Sequence, residues 1–314
     1  MLPRVLLRRN DMNKSPAPFA GTGDELTMIT VGSLAVWREK AKGTPRARVL
    51  HVHGINEHSA RHKPTFAALT EIGIEVVRFD LRGFGRSGGR RQFVQRFEEY
   101  ADDVAAIYGW ICRELEDLPL YVMGHSMGGA VATFFAAHYD RLLAGVILSA
   151  PGYIVGEAVS PAKIVVGRAL SKFFPNLRLP KPPESPAISR DPKEVAAFAA
   201  DPLSPNFNTL AQGSAVLDGF TKMPGLCASI TVPTVIFHGT GDRLILCEGS
   251  FQLFRALGSA DREFHLLPGV FHEPHNDYDR EKYFALLQRW VTKHVAAPSA
   301  RREKTQAACS AELA

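Results

Sequence analysis

Cysteine is scarce: Cys112, Cys227, Cys247 and Cys309 are the four in 314 residues, with no Cys-x-x-Cys pair. That scatter excludes a disulfide framework and a cysteine zinc site, and it reads as a chain of the reducing cytosol. An excess of either charge is also missing, with 37 Lys+Arg against 32 Asp+Glu and a net +5. No basic stripe with interleaved aromatics occurs, which excludes a dedicated nucleic-acid binder. The opening, MLPRVLLRRN, has too short an apolar run for a signal peptide. One uncharged stretch, Leu118 to Tyr139, has the length of a bilayer span. It holds His125, Ser126 and a tight cluster of Gly124, Gly128 and Gly129, the pattern of a strand, a turn and a helix. With 46% hydrophobic and 22% charged residues the composition is that of a globular protein.

Residues 1–24 are rich in Pro, Arg, Asn and Gly without any period and read as a loose leader, with Met12 an alternative start. Two short β-prone runs around Val31-Gly32-Ser33 predict a hairpin. Apolar runs then recur at Arg48–His53, Glu75–Leu81, Leu120–Gly124, Ala144–Ser149, Thr234–His238 and Glu263–Leu267. Helical patterns stand between them, at Phe93–Leu115, Met127–Tyr139 and Arg280–Val295. Near-continuous apolar strands alternating with helices predict an α/β fold whose mostly parallel sheet is covered on both faces. The alternation fails between Ala150 and Ile230, where no strand pattern is visible. A Pro-dense linker, Leu179-Pro180-Lys181-Pro182-Pro183, separates two helical patches there. The expected organisation is a core at 25–150 and 231–296, a helical cap or lid at 151–230, and a disordered tail at 297–314.

Gly124-His125-Ser126-Met127-Gly128 is a G-x-S-x-G sequence between an apolar strand and a helix. That context makes Ser126 a candidate nucleophile on a sharp turn, with the free N–H groups of the helix start beside it. A hydroxyl needs a base, and in this topology the acid and the histidine follow in chain order. Thr234–Asp242 reads as a strand ending in a turn with an acid, Asp242, and thirty residues on Pro268–His272 reads as a strand ending in a turn with a histidine, His272. Strand ends on one edge meet at one crevice, so Asp242 would orient His272, and His272 would take the proton from Ser126. His275 is the competing base. His53-Gly54-Ile55 ends another strand, and the Ile55 and Met127 backbone N–H groups are the candidate oxyanion donors. Gly83-Phe84-Gly85-Arg86-Ser87-Gly88 spells G-x-G-x-x-G after a strand. No acid closes a following strand and Arg90-Arg91-Gln92 delay the next helix, so it reads as a structural loop.

Together these segments resemble the α/β-hydrolase superfamily, and within it the monoacylglycerol lipase and lysophospholipase group of serine hydrolases. The resemblance runs from about residue 25 to 295. It rests on His53–Arg61, Asp80–Ser87, Gly124–Gly129, His238–Asp242 and Gly269–Glu273 in order, with Phe174-Pro175-Asn176-Leu177 and Asp201-Pro202-Leu203 in the insertion. It implies the α/β-hydrolase fold, the triad Ser126, Asp242 and His272, the oxyanion donors Ile55 and Met127, and no metal or organic cofactor. Glu57, Arg61 and His275 match positions at the polar end of the substrate pocket, and Phe198 stands where a close relative carries tyrosine. The implied activity is hydrolysis of a small-molecule lipid ester, a monoacylglycerol or lysophospholipid. A broad carboxylesterase, thioesterase or acyltransferase on the same scaffold is the alternative, and a non-enzymatic binding protein the remote one. Dehalogenases and epoxide hydrolases of this scaffold carry Asp where Ser126 stands. Leu170, Phe173 and Phe174 recur at helical spacing in the insertion and would receive the acyl chain. The same apolar surface would touch a membrane at its periphery.

Overall fold

A computed structural model describes residues 28–156, 161–180 and 186–295. The expected leader and tail, together with residues 157–160 and 181–185 of the insertion, lie outside the described residues.

Strands β1 (Ile29–Val31) and β2 (Leu34–Glu39) form the expected antiparallel hairpin, turning at Gly32 with φ +59°. The sheet continues through β3 (Ala47–Val52), β4 (Ile74–Phe79), β5 (Leu120–His125), β6 (Gly145–Ser149), β9 (Thr234–Gly239) and β10 (Arg262–Leu267). Its eight strands lie in the order β1-β2-β4-β3-β5-β6-β9-β10. All pairings from β4 to β10 are parallel, while β2 joins β4 antiparallel.

The inner strands are apolar throughout because both faces are covered. Leu50, Val52, Val77, Val122, Val146, Leu148 and Ile236 point to one side. There they meet α2 (Glu98–Glu114), α3 (Met127–Tyr139), α6 (Leu210–Cys227) and α7 (Cys247–Ala256). Ala47, Val49, Val76, Tyr121, Met123, Ile147, Val235 and Phe237 point to the other side, against α1 (Lys63–Glu71) and α8 (Arg280–Val295). Successive side chains on a strand alternate faces, so one run of apolar residues supplies both cores.

Two expectations shift. The helix foreseen from Phe93 begins at Glu98, because the Glu99 carboxylate accepts from the Gln95 and Arg96 N–H groups and holds that stretch as a turn. The segment between Ala150 and Ile230 contains strands after all. β7 (Arg178–Pro180) and β8 (Phe207–Thr209) pair antiparallel, each three residues long and too short to show an alternation. Helices α4 (Pro161–Ser171) and α5 (Pro192–Ala200) accompany them. Within this insertion α6 packs Ala215, Val216, Phe220 and Met223 into the main core beside α3.

The Gly83–Gly88 loop is filled by the protein itself. Asp80 accepts from the Arg86 N–H at 2.8 Å and from the Ser59 N–H and hydroxyl at 2.9 and 2.7 Å. A carboxylate thus takes one of the loop's amides, backbone carbonyls take those of Gly83, Phe84, Ser87 and Gly88, and Asp80 joins the end of β4 to the turn after β3.

Candidate active site

Ser126 sits between the last residue of β5 and the first of α3, with φ +54° and ψ −123°. A non-glycine residue there is strained, and the turn survives because its flanking residues can crowd together. A Cβ on Gly124 would run into the Gly128 carbonyl, and one on Gly128 into the Val52 and His53 carbonyls. Only hydrogen at these positions lets the start of α3 rest on the end of β3. The Ser126 N–H donates to Ser149 O at 3.0 Å, and Ser126 O receives the Gly129 and Gly152 N–H groups, both at 2.9 Å.

Three strand ends then converge. The Ser126 hydroxyl lies 2.9 Å from His272 Nε2, and His272 Nδ1 lies 2.6 Å from Asp242 Oδ2. All three residues are buried. His275, the competing base, points away, stacked on His62 with ring centroids 4.2 Å apart.

Burial opposes ionisation of Asp242, but the His272 and His238 rings outweigh it and hold the carboxyl well below its usual range. Its other oxygen accepts from the Leu244 and Ile245 N–H groups at 2.8 and 3.0 Å. Burial also opposes charging of His272. The adjacent Asp242 carboxylate prevails, and the imidazole pKa is raised above the ordinary histidine value. His125, with its ring 4.8 Å from His272, goes the other way: burial and the neighbouring His272 push its pKa well down. One ring beside the triad favours a proton and the next one refuses it.

His238 escaped the sequence reading. Its Nε2 faces both Asp242 Oδ2 at 3.2 Å and Ile245 O at 3.0 Å, so that nitrogen carries the proton. Its Nδ1 lies 2.6 Å from the Ser250 hydroxyl. The available signal was its place at the end of the apolar strand, four residues before Asp242.

Among the described residues neither the Ile55 nor the Met127 N–H meets an acceptor. Gly54 brings the first loop close: a Cβ there would lie 3.2 Å from Ser126 Cβ and 2.7 Å from Glu57 Oε1. His53 pins that loop to the end of β4, with Nε2 accepting from the Leu81 N–H at 3.0 Å and Nδ1 donating to Gly54 O at 2.7 Å.

Glu57 lies inside the loop, with Oε1 accepting from the Gly54 N–H and from His62 Nε2 at 3.0 Å. Burial resists its charge, yet His62 and the surrounding rings keep its pKa well below the usual range. Arg61 is clamped by Glu273, with Nη2 to Oε2 at 2.6 Å, and its guanidinium lies 4.9 Å from the centroid of the buried Phe198 ring. His58 Nε2 meets Asp201 at 2.7 Å. A cavity of about 450 Å³ runs along this seam between the core and α5, lined in part by His58, Arg61, Glu194, Asp201 and Asn276. Leu170, Phe173 and Phe174 stand apart, 39%, 78% and 59% exposed, and are not enclosed around Ser126. Among the described residues no group of three His, Cys, Asp or Glu side chains could hold a metal ion.

Known proteins resemble this chain in sequence and in fold. The profile of the serine aminopeptidase S33 family matches residues 43–279. A monoacylglycerol lipase of Mycolicibacterium smegmatis is 32% identical over 283 residues, covering 90% of this chain and 98% of that protein. The monoglyceride lipase of Homo sapiens is 29% identical over 261 residues, covering 82% and 86%. The crystal structure of a Paleococcus ferrophilus monoacylglycerol lipase superposes with a TM-score of 0.74 at 27% identity, covering 82% of this chain and 99% of that one. The chain belongs to the serine aminopeptidase S33 family of α/β-hydrolases.

Proposed function

We propose that the protein is a serine hydrolase of carboxylic esters, acting on a lipid-like substrate such as a monoacylglycerol or lysophospholipid through an acyl-enzyme. The observation that carries the reading is the relay of 2.9 and 2.6 Å from Ser126 through His272 to Asp242 on a strained turn. Ser126 attacks the ester carbonyl while His272 Nε2 takes its proton, and Asp242 stabilises the imidazolium that forms. The tetrahedral oxyanion rests on the Ile55 and Met127 N–H groups; one such donor is worth roughly 3 kcal/mol. His272 then gives its proton to the departing alcohol, and water repeats the sequence on the acyl-enzyme.

The lipid character of the substrate is supported by the relatives, named for monoacylglycerol or monoglyceride hydrolysis, and by the apolar cap. A glycerol-like head would lie towards Glu57, Arg61, His275 and Phe198, at the polar seam. Val165, Val166, Leu170, Phe173, Phe174, Leu177 and Leu179 make an exposed apolar strip on α4 and β7 and the turn between them. That strip would rest on a lipid surface and draw the acyl chain from it. Among the described residues no helix is long and apolar enough to cross a membrane. The family's description also raises aminopeptidase activity. The carboxylates lining the seam argue against it: among the described residues Glu194 and Glu273 face Arg61, Asp201 faces His58, and Glu57 is buried beneath the loop.

The test is a panel of monoacylglycerols, lysophospholipids, short nitrophenyl esters and amino-acid anilides with the wild type and Ser126→Ala. Ester turnover by the wild type, and none by a folded Ser126→Ala protein, is the expected result. Undiminished turnover in that variant refutes the nucleophile.

A further inference from the structure

We infer that His62 is a positioning residue: its Nε2 holds the Glu57 carboxylate against the Gly54 N–H and so sets the loop that presents the Ile55 N–H. The inference rests on the acyl-enzyme reading above. Glu57 only accepts hydrogen bonds, so the 3.0 Å contact requires a proton on His62 Nε2. The same oxygen, Oε1, receives the Gly54 N–H, while Oε2 is buried with no partner among the described residues. The whole carboxylate is thus held at one oxygen by two donors.

Gly54 is the contact between that carboxylate and the nucleophile. A Cβ built there would sit 2.7 Å from Glu57 Oε1 on one side and 3.2 Å from Ser126 Cβ on the other. The Gly54 N–H bonded to Oε1 is the link by which a shift of Glu57 reaches the residue that precedes the oxyanion donor. Glu57 is only 3% exposed, so solvent cannot replace a lost partner cheaply. Without His62 the carboxylate keeps one donor and must protonate or turn away, and either loosens Gly54.

His62 is itself fixed by rings. His51 on β3 lies at 4.3 Å, His275 at 4.2 Å and 26°, and His125 at 5.3 Å between centroids. His275 follows the base in the chain and His125 precedes the nucleophile. The ring that steadies the oxyanion loop therefore abuts the other two catalytic loops. His51 makes a useful contrast. It is wholly buried and touches His62, yet neither of its nitrogens has a partner among the described residues, and it does not reach Glu57.

The experiment compares His62→Phe, His62→Gln and His51→Phe with the wild type on a short nitrophenyl ester. A trifluoromethyl ketone that forms a tetrahedral adduct is titrated in parallel. Fluorophosphonate labelling of the wild type at Ser126 is read first, because its failure would overturn the acyl-enzyme reading itself, and this inference with it. With labelling intact, His62→Phe should lose kcat about tenfold with KM within about twofold, and bind the ketone weaker by the same factor as its loss in kcat/KM. His62→Gln, which keeps a donor, should recover kcat to within about threefold, and His51→Phe, which keeps a ring against His62 and removes only the unpartnered nitrogens, should stay within about twofold. Unchanged kcat in His62→Phe, a loss confined to KM, a glutamine variant no better than phenylalanine at equal melting temperature, or an equal loss in His51→Phe would each overturn the inference. If His62→Phe does not fold, His62→Asn, too short to reach Glu57, takes its place under the same criteria.

Discussion

At the scale of single residues, the chemistry depends on a sign difference between neighbouring imidazoles. His272 works as a base only when neutral, and Asp242 raises its pKa above the ordinary histidine value. Activity should therefore rise with pH through that raised pKa and level off above it. In Asp242→Asn the attraction is gone, so the acid limb of the kcat/KM profile should move to lower pH. The plateau should fall by ~10⁴ as the wrong tautomer is presented to Ser126. A pH–rate series on a soluble ester measures both. Ser126, Asp242 and His272 were legible because Ser126 directly follows an apolar strand and the other two sit in the turns a few residues beyond one, and strand ends of a parallel sheet share an edge. His238 and His62 were not. Their roles come from Asp242 and Glu57, and a partner that closes a hydrogen bond through space leaves no mark on the spacing. For the same reason the pairing of Arg61 with Glu273, 212 residues away, could not be read beforehand.

Between strands and helices, the decisive contact is α3 on the end of β3. The Gly128 hydrogen is all that separates the first turn of the helix from the Val52 and His53 carbonyls. Gly128→Ala should destabilise the protein by about 1–3 kcal/mol or more, since the obstacle is backbone and cannot rotate away. Thermal unfolding should show a lower midpoint, by roughly 2–4 °C per kcal/mol, with ester hydrolysis lost before the fold. The insertion is tied to the base loop by comparable local detail. Ile188 O receives the Glu273 N–H at 2.8 Å, the Ser189 hydroxyl donates to Asn276 O at 2.6 Å, and Arg190 pairs with Asp277 and Asp279. Helices Met127–Tyr139 and Arg280–Val295 were read at their observed bounds because glycine or charge marks their ends. α1 and α7, nine and ten residues long, were not named, being too short to show a sustained helical period. β7 and β8 pair only because the chain between them folds back, which three residues apiece cannot announce.

For the molecule as a whole, the insertion has two characters. Its α5 half faces Arg61 and His58 of the core through ion pairs, whereas its α4 half turns apolar side chains outward. Replacing Phe173 and Phe174 by Ser should weaken sedimentation with lipid vesicles and slow turnover of a long-chain substrate embedded in them. Each ring carries up to about 2 kcal/mol of burial on the membrane. Turnover of a soluble short ester should stay within about twofold, because neither ring is enclosed around Ser126. Equal losses on both substrates would mean that these rings act on the site and not on the lipid surface.

The sequence alone determined the parallel sheet, the strained serine turn and the order of the proposed nucleophile, acid and base. Each of these follows from local facts: strand period, glycine at two positions, and a polar residue at a strand end. Tertiary structure alone decided which polar groups pair across the seam and which imidazole takes the proton. It also decided that Phe173 and Phe174 of the insertion face outward while Phe198 and Phe220 are buried. Charge states and burial depend on everything packed around a group, and in this chain that packing joins residues as far apart as Arg61 and Glu273, 212 positions from one another.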